Sequence, residues 1–165
     1  MMNGTLATAL EREHREIDAG IEEFTSRRAE GETTAEPLLA ALRALRRHIY
    51  LEEAILFPPL RDAGMVGPIF VMLREHAEMW QTMDALDAAL AENSAATSVP
   101  RLCARLVPQL ETHNTKEEPI LYTQADSVLS DAASASLQDF LATGAIPEGW
   151  VCERARTGPA GGYIR

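Results

Sequence analysis

Residues 48–57 read HIYLEEAILF, and residues 113–122 read HNTKEEPILY. The two stretches share the pattern H-x-x-x-E-E-x-I-L followed by an aromatic residue, 65 positions apart. A second pair lies upstream of each. Arg12-Glu13-His14-x-Glu16 matches Arg74-Glu75-His76-x-Glu78, 62 positions apart. The chain therefore reads as an internal duplication, in which each half brings one R-E-H segment and one H-x-x-x-E-E segment. All four histidines of the protein fall inside these repeated patterns.

Outward from the repeats, four long helical patterns are separated by punctuation. The first covers about Thr5 to Ala29 and ends near Gly31. The second opens at Thr33-Thr34-Ala35-Glu36, a capping-box pattern that tolerates Pro37 in its first turn, and stops at Pro58-Pro59. The third begins after Gly64 and Gly67-Pro68 and reaches about Glu92; the fourth starts at Ser98 and Pro100. Long helices joined by short links predict an all-α fold, an antiparallel up-down-up-down four-helix bundle. The bundle is expected over residues 1–130. Residues 131–165 form a second stretch, with a short fifth helix at Ser134 to Leu141 and then an irregular Gly- and Pro-rich tail, packed down by Trp150 and Tyr163.

Composition agrees with helices and narrows the partners. The 165 residues are 46% apolar but only 5% aromatic, a balance that favours helices over a β-sandwich. The net charge of −10 makes nucleic acid and anionic membranes poor partners. No apolar run approaches the roughly 20 residues of a spanning helix, and no basic leader precedes EREHREID, so no signal peptide is expected. Cys103 and Cys152 lie far apart without C-x-x-C spacing. Reduced thiols and a cytoplasmic location follow as the expectation.

The spacing carries the chemistry. Residues four apart stack on one helix face, so His48 points with Glu52 and His113 with Glu117. Leu38, Leu45, Ile55 and Leu56 share the stripe of His48, while Leu106, Leu110, Ile120 and Leu121 share that of His113. His14 sits among Leu10, Ile17, Ile21 and Phe24, and His76 among Ile69, Met72, Leu73, Met79 and Met83. A lone histidine on such a stripe is most often a satisfied core residue. Four of them with two carboxylates, and no Lys or Arg close on the same face, argue instead for a metal centre, because a bare buried carboxylate costs several kcal/mol. Imidazole and carboxylate donors without thiolate suit iron, manganese or zinc. Two carboxylates can bridge a metal pair with two histidines ending on each ion. The zinc-protease H-E-x-x-H is absent, and of the E-x-x-H pairs used by ferritin-like bundles only Glu11-x-x-His14 occurs.

These motifs, His14, HIYLEEAILFPPL, REHAEM and HNTKEEPILY, resemble the hemerythrin-like, or HHE cation-binding, family over about residues 5 to 130. The resemblance implies a non-haem di-iron site inside the bundle. By position it makes His14, His48, His76 and His113 terminal ligands and Glu52 and Glu117 bridges. Two departures stand out. Oxygen carriers of the family have a second histidine one turn along the third helix, where this chain has Trp80, and an aspartate at i+5 in the last motif, where this chain has a glutamate at i+4. Both point away from reversible oxygen carriage and towards members that handle peroxide or nitric oxide in stress responses.

Other residues receive plainer expectations. Asp18, one turn after His14, is a candidate further ligand against a solvated role. Glu53 and Glu118 lie about 140° around a regular helix from the ligand face, so solvent is their expected environment, with ligation by Glu118 the alternative. Glu13 and Glu75 are expected at the surface or behind the ligands. Trp80, Met72, Met79, Met83 and Cys103 should fill the core. Pro108 and Pro119 predict a kink or broken turn flanking His113. The functional expectation is a di-iron protein that binds, or does redox chemistry with, oxygen, peroxide or nitric oxide, an oxidoreductase in that case. The alternative is an iron-sensing interaction module whose metal occupancy controls stability or binding to a protein partner or a second copy.

Overall fold

The structure is a computed structural model that describes residues 5–93 and 95–156. Every regular element among them is helical. Helix α1 (Leu6–Ala29) starts where the Thr5 side chain accepts from the Thr8 amide, 3.1 Å away, and ends before Gly31, whose φ of 95° suits a residue without Cβ. Helix α2 (Glu36–Leu51) starts at Ala35 with no side-chain cap, so the capping box at Thr33 does not form. The helix entrance instead rests on Pro37 in the first turn, and Glu36 pairs with Arg43 at 2.6 Å. After Leu51 the chain does not stop. It widens through a π-type turn, Glu52–Leu56, and continues as α3 (Phe57–Asp62). Pro58 and Pro59 sit in the first turn of α3, where missing N–H groups are tolerated, so they re-start the helix rather than end it.

The second half repeats this plan. Helix α4 (Val66–Glu92) already includes Gly67 and Pro68 in its first turn. Helix α5 (Ser98–Glu117) runs through Pro108 without interruption, with the proline on the exposed side. The irregularity predicted around His113 is confined to a second π-type turn, Glu118–Tyr122, which contains Pro119 and leads into α6 (Thr123–Val128). Helix α7 (Asp131–Thr143) is longer than the sequence suggested, because Ser130 caps it by accepting from the Ala133 amide at 3.1 Å. A four-residue helix, α8 (Glu153–Arg156), interrupts the tail expected to be irregular. Trp150 packs there edge-on against Tyr50 and Trp80, at 5.0 and 5.6 Å between ring centres. Tyr163 lies outside the described residues.

Packing follows the duplication. α1 lies along α2 and α4 along α5, and the two hairpins meet across α1–α5 and α2–α4. Gly20 lets α1 approach α2, since a Cβ there would come within 3.1 Å of the Ala41 Cβ. Asp126 on α6 accepts from the Leu6 amide at 2.9 Å, tying the end of the domain to its beginning. The apolar interior is in two parts. One cluster includes Ile21, Phe24, Leu42, Met83, Leu86 and Leu106; the other includes Leu10, Leu51, Phe57, Leu60, Ile69 and Leu121. Along each long helix the change from one cluster to the other comes at the histidine or the H-x-x-x-E pair. The bundle is thus a sandwich of apolar, polar and apolar layers. Each apolar layer supplies the hydrophobic driving force, and the polar layer between them has to satisfy itself. Among the described residues no helix is long and apolar enough to cross a membrane.

Candidate metal centre

Six side chains form the polar layer: His14, His48, Glu52, His76, His113 and Glu117, all buried. They divide into two overlapping groups, each with its donor atoms within 4.8 Å of one another. The first group is His14, His48, Glu52 and Glu117; the second is Glu52, His76, His113 and Glu117. Both carboxylates belong to both groups. One Glu117 oxygen lies 3.4 Å from His14 Nε2 and 3.2 Å from His113 Nε2. One Glu52 oxygen lies 3.5 Å from His48 Nε2 and 3.4 Å from His76 Nε2. Each carboxylate therefore faces one imidazole of either group, which is the placement a bridging group needs.

A carboxylate stands behind every imidazole. Nδ1–H of His48 donates to Glu13 at 2.8 Å, and that of His113 donates to Glu75 at 3.1 Å. His76 donates to Glu53 at 2.8 Å and His14 to Glu118 at 3.0 Å. The pairing obeys the duplication. The glutamate of each R-E-H segment holds the histidine of its own hairpin, and the second glutamate of each E-E pair holds the histidine of the other hairpin. Glu53 and Glu118 consequently leave the solvated role expected for them. The reason lies in the packing. A residue five along a helix sits about 140° from the starting face, and in the bundle that flank of each E-E pair faces the histidine of a neighbouring helix rather than water. The wide turn that follows, Glu118–Tyr122, carries Ile120 out to 45% exposure, against its expected place on the buried stripe.

With Nδ1 committed as a donor, each Nε2 presents a lone pair to the centre. Four imidazole lone pairs and two carboxylates then converge with scarcely a donor among them. Glu52 Oε1, His76 Nε2 and both Glu117 oxygens are buried without a hydrogen-bond partner. Orphaned acceptors facing one another in an apolar interior are unfavourable unless a cation sits between them. In the metal-free protein protons take part of that role. Burial and the Glu117 charge hold the Glu52 carboxyl well above its ordinary value. Burial disfavours a charged His113, yet Glu117 and then Glu75 outweigh it and bring its pKa to about 9. Glu117 is correspondingly held low against its own burial, chiefly by His113. The residues present fit a metal pair.

One side chain that reaches into the layer was not singled out from the sequence. The Tyr122 hydroxyl is 2.8 Å from both His14 Nε2 and His48 Nε2, and 3.0 Å from Glu52. One phenolic proton cannot serve three acceptors, so this end of the layer is also short of donors. Burial, with the charges of Glu117 and Glu52, keeps the phenol protonated well above its ordinary value. The signal was present as the aromatic that closes each repeat. Its counterpart, Phe57, stacks on His76 at 5.6 Å between ring centres. The two ends of the layer thus differ by one hydroxyl.

Asp18 is not brought to the donors. It lines the wall of a cleft of about 390 Å³ on the exposed side of α1 with Glu22 and Glu111, and partial desolvation in that cleft, with the charges of Glu118 and Glu111, outweighs His14 and raises its carboxyl pKa. Glu118 acts on His14 Nδ1 and belongs to neither donor group. Met72, Met79, Met83 and Cys103 are core residues as expected, and Trp80 packs against Trp150 with the Arg46 guanidinium 5.3 Å from its ring centre.

Comparison with known proteins supports the same conclusion. The family model of the hemerythrin HHE cation binding domain matches residues 5–125. Neither curated proteins nor solved structures gave a significant match. The match spans both repeats and all six side chains of the polar layer, and the chain belongs to the hemerythrin HHE cation-binding family, a metal-binding helical domain.

Proposed function

We propose that the polar layer holds two iron ions and that the protein exchanges electrons with, or binds, a small oxidant such as oxygen, peroxide or nitric oxide. The observation that carries this reading is the pair of four-donor groups sharing Glu52 and Glu117. His14 and His48 would hold one ion, His76 and His113 the other, and the two carboxylates would bridge them. What the pair supplies when bound is redox capacity, two one-electron centres side by side. The nitrogen and oxygen donor set also accepts manganese or zinc.

The protein's own groups do the rest. Glu13, Glu53, Glu75 and Glu118 fix each imidazole in the tautomer that turns Nε2 inward and make it a better donor. The apolar clusters on either side exclude bulk water from the layer. The Tyr122 hydroxyl, against His14, His48 and Glu52, brings a phenolic proton to the edge of the first donor group and can orient a small polar ligand there. Trp80 occupies the place of the oxygen carriers' further histidine and is turned to Trp150. That favours chemistry with peroxide or nitric oxide over reversible oxygen carriage. The two buried free thiols suit a reducing, cytoplasmic setting.

The test is metal content and turnover in parallel. His48→Ala and His113→Ala should each lose iron after anaerobic ferrous loading, and the wild-type iron form should consume peroxide or nitric oxide. Unchanged iron content in both variants would overturn the site. Full iron loading with no turnover and no spectral response to any of the three small molecules would overturn the redox reading and leave a metal-sensing module.

A further inference from the structure

We infer that the segment after the matched domain, residues 131–156, is a clamp on the metal centre, and that Arg47 and the Glu153 backbone amide are its two points of action. This rests on the metal reading above. The family match ends at residue 125, yet the following helices reach two of the four carboxylates that stand behind the imidazoles.

The first connection runs through Arg47. Its Nη1 donates to Glu13 Oε2 at 3.0 Å, while Glu13 Oε1 accepts from His48. The rest of the guanidinium is spent on the C-terminal end of α7. Nε donates to the Gly144 carbonyl at 2.9 Å, and Nη2 donates to the carbonyls of Leu141, at 3.1 Å, and Phe140. The Phe140 ring centre lies 4.8 Å from the same guanidinium. Helix C-terminal carbonyls lack intrahelical donors and favour a cation, and the planar fork of an arginine can serve several at once. Glu13 is thereby tied to α7 through one rigid side chain.

The second connection is direct. Glu53 Oε1 accepts from His76 Nδ1, and Glu53 Oε2 accepts from the Glu153 amide at 2.9 Å. Buried Cys152 and the packing of Trp150 on Tyr50 and Trp80 fix the chain just before that amide. His48 and His76 are the two imidazoles that flank Glu52, one from each donor group. The clamp therefore grips both ends of the layer along a single edge. The opposite edge is built differently. Glu75 takes its cation, Lys116, from within the matched domain, and Glu118 is one-third exposed. The duplication does not foretell Arg47, whose counterpart is Thr112.

If the segment merely covered apolar surface, removing one hydrogen bond from it would leave the metal untouched. Glu153→Pro removes the side chain together with the donating N–H at the first position of α8, where proline is accepted. Glu153→Ala keeps that N–H and removes the side chain. Arg47→Met removes the guanidinium but keeps a long apolar stem. The full chain and these three variants would be loaded anaerobically with ferrous iron and challenged with a ferrous chelator. Loss of the carboxylate behind a ligand costs about 10–100-fold in metal affinity; these variants keep the carboxylate and loosen it. Arg47→Met and Glu153→Pro are expected to release iron faster by about tenfold, the lower end of that range, and to shift the absorption envelope of the loaded centre. Glu153→Ala, which loses the same side chain but keeps the amide, should hold iron more tightly than Glu153→Pro, and equal release from the two would overturn the role of the amide. Wild-type release rates and spectra in both Arg47→Met and Glu153→Pro, with helix content intact, would overturn the clamp. Should Arg47→Met fail to fold, the Glu153 pair decides alone. A wild-type chain that takes up no iron overturns the metal reading, and this inference falls with it.

Discussion

A single phenol separates the two ends of the polar layer. Tyr122 offers one proton to His14, His48 and Glu52, where Phe57 offers His76 only a stacked ring. Tyr122→Phe would leave those acceptors bare in the metal-free protein, and a loss of about 1–3 kcal/mol in urea unfolding is expected; no loss would mean that the hydroxyl is not shared as described. The candidate donors were legible from residue type and i, i+4 spacing, because that spacing fixes a shared face. Tyr122 was marked only as the aromatic that closes each repeat, and the pairing of Glu53 with His76 was not legible, since neither contact follows from 100° per residue along one helix. The thiols provide a second test at this scale. Burial pushes Cys103 to about 11, with Arg28 opposing, and pushes Cys152 to about 12. The folded protein thus keeps protons that the unfolded chain releases from about pH 9 upward, and stability should fall from there towards pH 11–12. Alkylation at pH 9 should be slow in the native protein and fast in denaturant. Equal rates would contradict the burial.

At the scale of elements, the helices follow from caps, breakers and periodicity, and their failures are equally physical. Proline was read as a stop at Pro58-Pro59, but a wide turn just ahead converts the same residues into a helix start. The two π-type turns fall one residue out of step in the repeats, each at or next to the E-E pair whose second glutamate stands behind His76 or His14. No local sequence rule distinguishes them from regular helix, because the cost of a wide turn is repaid by contacts distant in sequence. Helix contact gives a direct prediction. Any Cβ at Gly20 meets Ala41 at 3.1 Å, so Gly20→Val should force α1 off α2 and cost about 1–3 kcal/mol. Leu42→Ala and Leu106→Ala, each in a fully packed place, should cost about 2–5 kcal/mol. Denaturant midpoints check both; a neutral Gly20→Val would mean that the hairpin is looser than described.

On the scale of the molecule, the fold is two hairpins closing a polar layer between two apolar ones. The duplication in the sequence announces that arrangement, and the all-helical bundle and family membership agree with it. What the duplication leaves out is the segment after it, whose Arg47 and Glu153 contacts depend on how α7 and α8 return to the bundle. A bundle divided by unsatisfied acceptors should gain from metal, so loading should raise the melting temperature in proportion to metal affinity. The most direct measurement is metal content per chain after anaerobic ferrous reconstitution and removal of loosely held ions. Two shared donor groups predict about two irons per chain, as in the di-iron bundles. A chain that keeps no stoichiometric metal would contradict the account.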